Sequence, residues 1–359
     1  MKQKKAAWQP GGNPLEDPLF KTGKAGIKPV DYAYAAGRIR ALETGLMDSA
    51  RTLRLTEAGD TVEFGRILTE AGYPAAETNG RMLNAGYVRA CETACALALE
   101  KPYLDVFYRE GDTANAKVFI KAMAGPRAES FESLETRIEL PAGVPPYRLY
   151  EAVRDRDETG ADIPDWLWAA VQAAFAAYAD TGDASGIDIR LDHAYAVFCA
   201  KTAESLGNPW FSRLIAMRSD LVNFGMLLRT RKAGFSREYL TGSLVAGGLV
   251  PPDAVGTLAG LTDEDITAAY RDTPYAALVE GTLADLDRTG WASRYGKAAD
   301  DLVMRHVREA RRIPFGPEVV VAYVYAVRTE VKNARIVLAF LRNHMDPAAA
   351  RDLLREPYL

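Results

Sequence analysis

The sequence predicts an all-α protein, and three observations carry that prediction. Apolar residues recur at helical spacing almost everywhere from Asp31 onward. Alternating β-branched runs bounded by turns are scarce, apart from a weak Arg137-Ile138-Glu139-Leu140. A short pattern, an acid followed by Asn three residues later and then a mostly apolar run, occurs three times. Apolar steps of three, four and seven build one face of an amphipathic helix, whereas a half-buried strand needs a period of two.

Taken in chain order, residues 1–29 carry Pro10, Gly11, Gly12, Pro14, Pro18, Gly23, Gly26 and Pro29 with little apolar periodicity, which predicts an irregular N-terminal arm. Ile39, Leu42, Leu46 and Leu53 then mark the first amphipathic helix. The first acid–Asn copy follows at Asp112 to Ile120. Pro164-Asp165 opens a further helix, because proline in the first turn lacks only an N–H that would be unpaired there anyway, and an acid suits the positive helix end. Gly182 and Gly186 punctuate the middle. The second copy runs from Asp220 to Leu228, and Gly242, Gly247 and Gly248 close that section. Pro251-Pro252-Asp253 starts another helix, and the third copy runs from Glu330 to Leu338.

The repeat is long. Asn115, Asn223 and Asn333 lie 108 and 110 residues apart, far from the periods of about 20 to 50 residues that mark solenoids. Arg218 and Arg328 stand two residues before their acids; in the first copy the arginine is one place earlier, at Arg109. Gly125, Gly234 and Asn343 follow the copies, residue types that tolerate the left-handed conformation just past a helix end. Lys121, Arg229, Arg231, Lys232 and Arg342 sit near those ends, where cations meet the negative pole of the helix dipole. Each copy therefore predicts one helix with its acid and Asn on one face: Asp112 with Asn115, Asp220 with Asn223, Glu330 with Asn333. Asn inside a helix costs roughly 0.6 kcal/mol relative to Ala, so a hydrogen-bonded contact to a neighbouring helix is expected to offset it. These pairs read as devices of packing specificity, not catalytic groups. The repeat divides the chain into an arm (1–29) and helical repeats at 30–137, 138–248 and 249–359.

Composition excludes several classes. A net charge of −4 and a pI near 5.6 argue against nucleic acid as the main partner. Hydrophobic content of 48% lets a chain of 359 residues bury a core without staples. Three cysteines, Cys91, Cys95 and Cys199, do not form a secreted disulfide framework and suit a reducing compartment. The longest apolar stretches, Trp166 to Ala179 and Val319 to Val327, fall short of the roughly 20 residues a membrane span needs. The basic start, Met1 to Lys5, has no apolar stretch after it that would make a signal peptide.

Chemistry-bearing patterns are sparse. His193, His306 and His344 stand alone, so no metal site is expected. Cys91 and Cys95 share a helical face, yet in an Ala-rich stretch they read as small packing residues. Gly23-Lys24 and Gly296-Lys297 lack both the glycine five positions upstream and the following Ser or Thr of a phosphate loop, so no nucleotide or other cofactor is expected. Trp166, Trp168, Phe175 and Tyr178 read as core and interface aromatics.

Six segments stand in order along the chain, Tyr32 to Glu43, Asp112 to Lys117, Arg218 to Asn223, Val245 to Leu249, Ala322-Tyr323 and Glu330 to Arg335, covering about residue 31 to the end. In these segments the chain resembles the C subunit of archaeal and bacterial V/A-type ATPases, related to the d subunit of the eukaryotic vacuolar enzyme. Gly37 and Gly225 depart from the pattern, standing where helix formers are expected. The resemblance implies three related helical subdomains around a pseudo-threefold axis, shaped as a funnel. It implies a non-catalytic central-rotor subunit between shaft subunits of the D/F type and the proteolipid ring, linking ATP turnover to H⁺ or Na⁺ transport. It implies a cytoplasmic place, peripheral on the membrane through the complex, with no direct insertion. A helical scaffold for another soluble complex is the alternative.

Overall fold

The computed structural model describes residues 26–125 and 127–359. Most of the expected N-terminal arm lies outside the described residues. Among them there are helices, turns and extended connections but no strand. The fold is all-α.

Four helices come first: α1 (Ala33–Glu43), α2 (Ser49–Leu55), α3 (Thr61–Glu70) and α4 (Asn79–Leu97). The long α5 (Pro102–Ala124) is followed by α6 (Phe131–Leu134), α7 (Pro146–Asp155), α8 (Asp165–Thr181) and α9 (Ser185–Leu206). A second long helix, α10 (Pro209–Ala233), leads into α11 (Arg237–Ser243), α12 (Pro252–Thr257), α13 (Asp263–Tyr270), α14 (Ala276–Asp285) and α15 (Trp291–Val307). The third long helix, α16 (Pro317–Arg342), precedes a terminal 3₁₀ segment at Pro347–Leu353. Proline opens all three long helices, where its fixed φ is already helical. Asn208 also caps α10 through its side chain, and Asp48, Asp60, Thr78, Ser236 and Thr262 do the same for shorter helices.

The long helices end differently from expectation. Gly234 is left-handed at φ 68°, but Gly125 (φ −68°, ψ 169°) leaves its helix extended and Asn343 (φ −92°) stays right-handed. After α16 the left-handed residue is His344, at φ 54°. The weak strand pattern at 137–140 is the end of a 3₁₀ turn followed by extended chain; it has no neighbouring strand to pair with, and its backbone bonds a side chain instead.

Each long helix gathers shorter ones. Helix α5 packs against α7, α8 and α9; α10 packs against α11, α12 and α15; α16 packs against α1, α2, α3 and α4. The apolar run Val319 to Val327, too short for a membrane, is buried throughout. No helix among the described residues is long and apolar enough to cross a membrane. One hydrophobic core lies among residues of α5 to α9, from Ala116 to Leu191, with Trp168 and Phe175 inside it. A larger core joins α1–α4 to α10–α16. Trp166 stacks on Phe198 with ring centroids 4.9 Å apart, and the Tyr178 hydroxyl donates to the Ala124 carbonyl, so this aromatic group braces α8 against α9 and α5. Gly225 stands where the Tyr295 ring crosses α10; a Cβ there would lie 2.8 Å from the ring, and the Tyr295 hydroxyl donates to the Leu221 carbonyl. Close approach of α15 therefore accounts for this glycine inside a helix.

Candidate functional site

The first face of each long helix holds loops. In α5, Asp112 Oδ1 accepts the N–H groups of Gly143 and Val144, both at 2.8 Å, while Arg109 Nη1 donates to Oδ2 at 2.8 Å. Asn115 makes a two-bond bridge with Glu139: its Nδ2 donates to the carbonyl at 3.0 Å and its Oδ1 accepts the N–H at 2.8 Å. In α10, Asp220 accepts the N–H groups of Leu249 (2.8 Å) and Val250 (3.0 Å) and the Tyr275 hydroxyl (2.6 Å). Asn223 bridges Val245 by the same pair of bonds, both 2.8 Å. In α16, Asn333 bridges Arg355 at 3.0 and 2.8 Å.

The partners are loop backbones, not the neighbouring helices that the sequence suggested. A helix interior has no free N–H or C=O to offer; a loop has both. An amide side chain presents one donor and one acceptor side by side, so Asn alone can pair both groups of one extended residue, as a strand neighbour would. Glycines admit the loops to the acids. A Cβ on Gly248 would stand 2.0 Å from Asp220 Oδ1, and one on Gly143 would stand 2.9 Å from Asp112 Oδ2.

The third acid breaks the pattern. Glu330 accepts the N–H of Met47 and, at 3.2 Å, the hydroxyl of Tyr73, both from the start of the chain. Burial pushes its carboxyl up to about 8 against the pull of Met47, Tyr73 and the charge of Arg51. Burial also raises Asp112 and Asp220, opposed chiefly by the Val144 amide and by the Tyr275 hydroxyl respectively. Each Asp holds two backbone amides; Glu330 holds one.

The second face of the long helices turns toward the others. Near their N-terminal ends, Tyr103 of α5 packs edge-on against Phe211 of α10 (5.1 Å), and Asn208 Nδ2 donates to Glu318 Oε1 of α16 at 2.6 Å. Two residues before each acid stand Glu110, Arg218 and Arg328. These matched positions meet: Arg218 and Arg328 both donate to Glu110 Oε1, at 3.0 and 2.5 Å. Burial alone would push Glu110 up, but the two guanidiniums outweigh it and hold the carboxyl below its ordinary value. Arg109, which the sequence aligned with the other two arginines, instead pairs with its own Asp112. The repeat keeps register through Glu110, and that change of sign is what draws the two arginines together.

Two hollows open from this ion cluster. One of about 600 Å³ lies among α5, α9, α10 and α11; the other, of about 280 Å³, lies among α4, α5 and α16. Glu110 and Ala114 line both. On α10 the lining stripe is Arg218, Val222, Met226 and Arg229, a helical row at steps of four, four and three. His306 is buried, its two ring nitrogens facing Glu309 and the Trp210 carbonyl at 3.0 Å each. Cys91 and Cys199 are buried thiols pushed up by burial, which suppresses the reactive thiolate. No cluster of three His, Cys, Asp or Glu suited to a metal occurs among the described residues.

The arrangement is one of hydrogen-bonded joints around two hollows. The family model for the ATP synthase (C/AC39) subunit matches residues 35–353. The chain belongs to that family. This C/AC39 chain is 24% identical over 349 residues to the C subunit of the A-type ATP synthase of Methanocaldococcus jannaschii, covering 90% of this chain and 86% of that one. It is 21% identical over 368 residues to the corresponding protein of Methanothermobacter thermautotrophicus, covering 92% and 90%. The C subunit of the V-type sodium ATPase of Enterococcus hirae matches at 24% over 221 residues, 58% of this chain and 63% of that one. The protein is thus a C-type subunit of a rotary A/V-type ATPase.

Proposed function

We propose that the chain is the non-catalytic coupler of its rotary ATPase, seated on the cytoplasmic side between the central shaft and the membrane rotor ring. In this role it transmits torque, so that ATP turnover and ion transport (H⁺ or Na⁺) stay linked. Its partners are shaft subunits of the D/F type at one end and proteolipid subunits of the ring at the other.

The meeting of Glu110, Arg218 and Arg328 supports the reading. Matched positions of three similar helices touch when those helices surround a common axis, with their other ends free to spread around a funnel. A rotating part needs such an axial seat. It also needs stiffness, which close-packed helices and bonded loops supply. In this reading the third unit combines α16 with α1–α4, so the repeats close into a ring instead of following one another strictly along the chain.

The test is purification of the membrane complex through a tag on this chain. Shaft and ring subunits at fixed stoichiometry are expected. Complexes assembled without the chain should hydrolyse ATP without moving ions. Full ion coupling in its absence, or ATP turnover by the isolated chain, overturns the proposal.

A further inference from the structure

The joint around Glu330 is assembled differently from the other two. Asp112 and Asp220 each take two successive amides of one loop, and that loop turns straight into the next helix. Val144 stands immediately before Pro145, the N-cap of α7, and Val250 immediately before Pro251, the N-cap of α12. Met47 stands immediately before Asp48, the N-cap of α2, and its amide is the one that Glu330 accepts. Met47 therefore fills the place of Val144 and Val250, but it comes from 283 residues away instead of 32 and 30. The chain beyond Asn333 goes elsewhere: the Glu356 amide donates to Asp301 at 2.7 Å, and the Pro357 carbonyl accepts from Arg308 Nε at 3.0 Å. The second amide is lost for a local reason. Leu46, the residue before Met47, donates its N–H to the Glu43 carbonyl at the end of α1. The Tyr73 hydroxyl stands in for it at Glu330. The third joint is thus a seam between segments remote in the chain, whereas a loop that lets go of Asp112 or Asp220 stays tethered beside its own helix.

We propose that this seam is a pH-operated latch: with Glu330 protonated, the segment from Met47 to Tyr73 stays closed on α16, and loss of that proton lets α2 and α3 lift away while the joints at Asp112 and Asp220 stay shut. The device does not depend on the coupling role proposed above. Helices α2 and α3 both lie against α16, and Leu55, Phe64 and Leu68 are buried there, so the open form is a minor one that pH makes more frequent. The surroundings fix the sign. Arg51 of α2 is the cation that acts on Glu330, and Tyr73 bonds it. Tyr323 of α16 feels Glu330, with Glu43 of α1 and with Arg89 and Cys91 of α4. Burial outweighs the Met47 amide, Tyr73 and Arg51 and raises the closed carboxyl to about 8, against 4.5 in the ordinary case. Between those values opening releases a proton, so the seam weakens as pH rises.

The experiment is hydrogen exchange of the full chain, resolved by amide at pH 5.5 and pH 7.5 and corrected for the intrinsic rate. Protection of the Met47 amide and of the α2 and α3 amides should fall about seventyfold between the two, while the Val144 and Val250 amides hold theirs. In Glu330→Gln the fall at Met47 should vanish, and Val144 and Val250 should exchange as in the unaltered chain. The contrast among Met47, Val144 and Val250 in the unaltered chain decides the case if the variant does not fold. Equal losses at all three amides would show that the molecule opens only as a whole. Constant protection at Met47 would show that the seam ignores pH, and a fall that survives in Glu330→Gln would assign it to another group. Any of these three results overturns the proposal.

Discussion

Replacing Glu330 with Gln should make the protein's stability less dependent on pH, and the structure sets the size of the effect. Glu330 is buried and, among the described residues, is bonded by the Met47 amide and the Tyr73 hydroxyl alone, with its carboxyl raised to about 8 from an ordinary 4.5. Arg51 is the cation that acts on it, and Tyr323 faces it from its own helix. Below pH 4.5 the group is protonated in both folded and unfolded chains and contributes no pH dependence. Between 4.5 and 8 the unfolded chain releases the proton while the folded chain keeps it, so stability falls as pH rises. Above 8 both forms are ionised and the slope ends. Each tenfold in proton affinity is worth about 1.4 kcal/mol, so on the order of 5 kcal/mol is lost across that window. Gln keeps an acceptor for Met47 and a donor for Tyr73 but never ionises. Urea unfolding of the full chain and of Glu330→Gln, at pH steps from 4 to 9, measures the difference. The wild-type minus variant stability should decline from pH 4.5 to 8 and then level off. Parallel curves across that range would refute the argument that Glu330 is a buried acid short of partners.

Three further outcomes follow from the joints. Asn223→Leu strands the N–H and C=O of Val245 and should cost about 2 to 4 kcal/mol in chemical unfolding, whereas exposed Asn343→Leu should cost under about 0.5. Gly248→Ala sets a Cβ against the Asp220 carboxylate and should destabilise by about 1 to 3 kcal/mol; a thermal midpoint equal to wild type would show that the loop can step aside. Glu110→Gln leaves Arg218 and Arg328 facing each other without a counter-charge, so the thermal midpoint should drop at low ionic strength and recover in part near 1 M salt, where the Debye length is about 3 Å.

Much of the fold is legible along the chain, and part of the site is not. Helix content, the three long helices and the proline starts follow from local periodicity and local backbone limits. The acid–Asn spacing marks helix positions whose side chains bond backbone elsewhere, because a poor helix former inside a helix needs a partner. It does not name the partner. Asn223 meets Val245 after 22 residues, and only the glycines beside Asp220 hint at a loop landing there. Glu330 meets Met47 across 283 residues, a contact that no pattern along the chain records. The ion cluster is hidden for a different reason. Arg109 has the same charge as Arg218 and Arg328 and so looks like their counterpart, whereas the residue in strict register is Glu110, of opposite charge.

The packing of α1–α4 on α16 also bears on how the molecule is made. Helix α4 ends at Leu97 and α16 begins at Pro317, so 220 residues separate the first four helices from the surface that buries them. At a ribosomal pace of about 5 to 20 residues per second, the gap lasts roughly 10 to 45 seconds. During it Tyr73 and Phe64, both buried in the finished chain, have no α16 to cover them. The opening quarter of the protein is thus synthesised as an orphan, dependent on chaperones or on its own marginal collapse until the last long helix emerges.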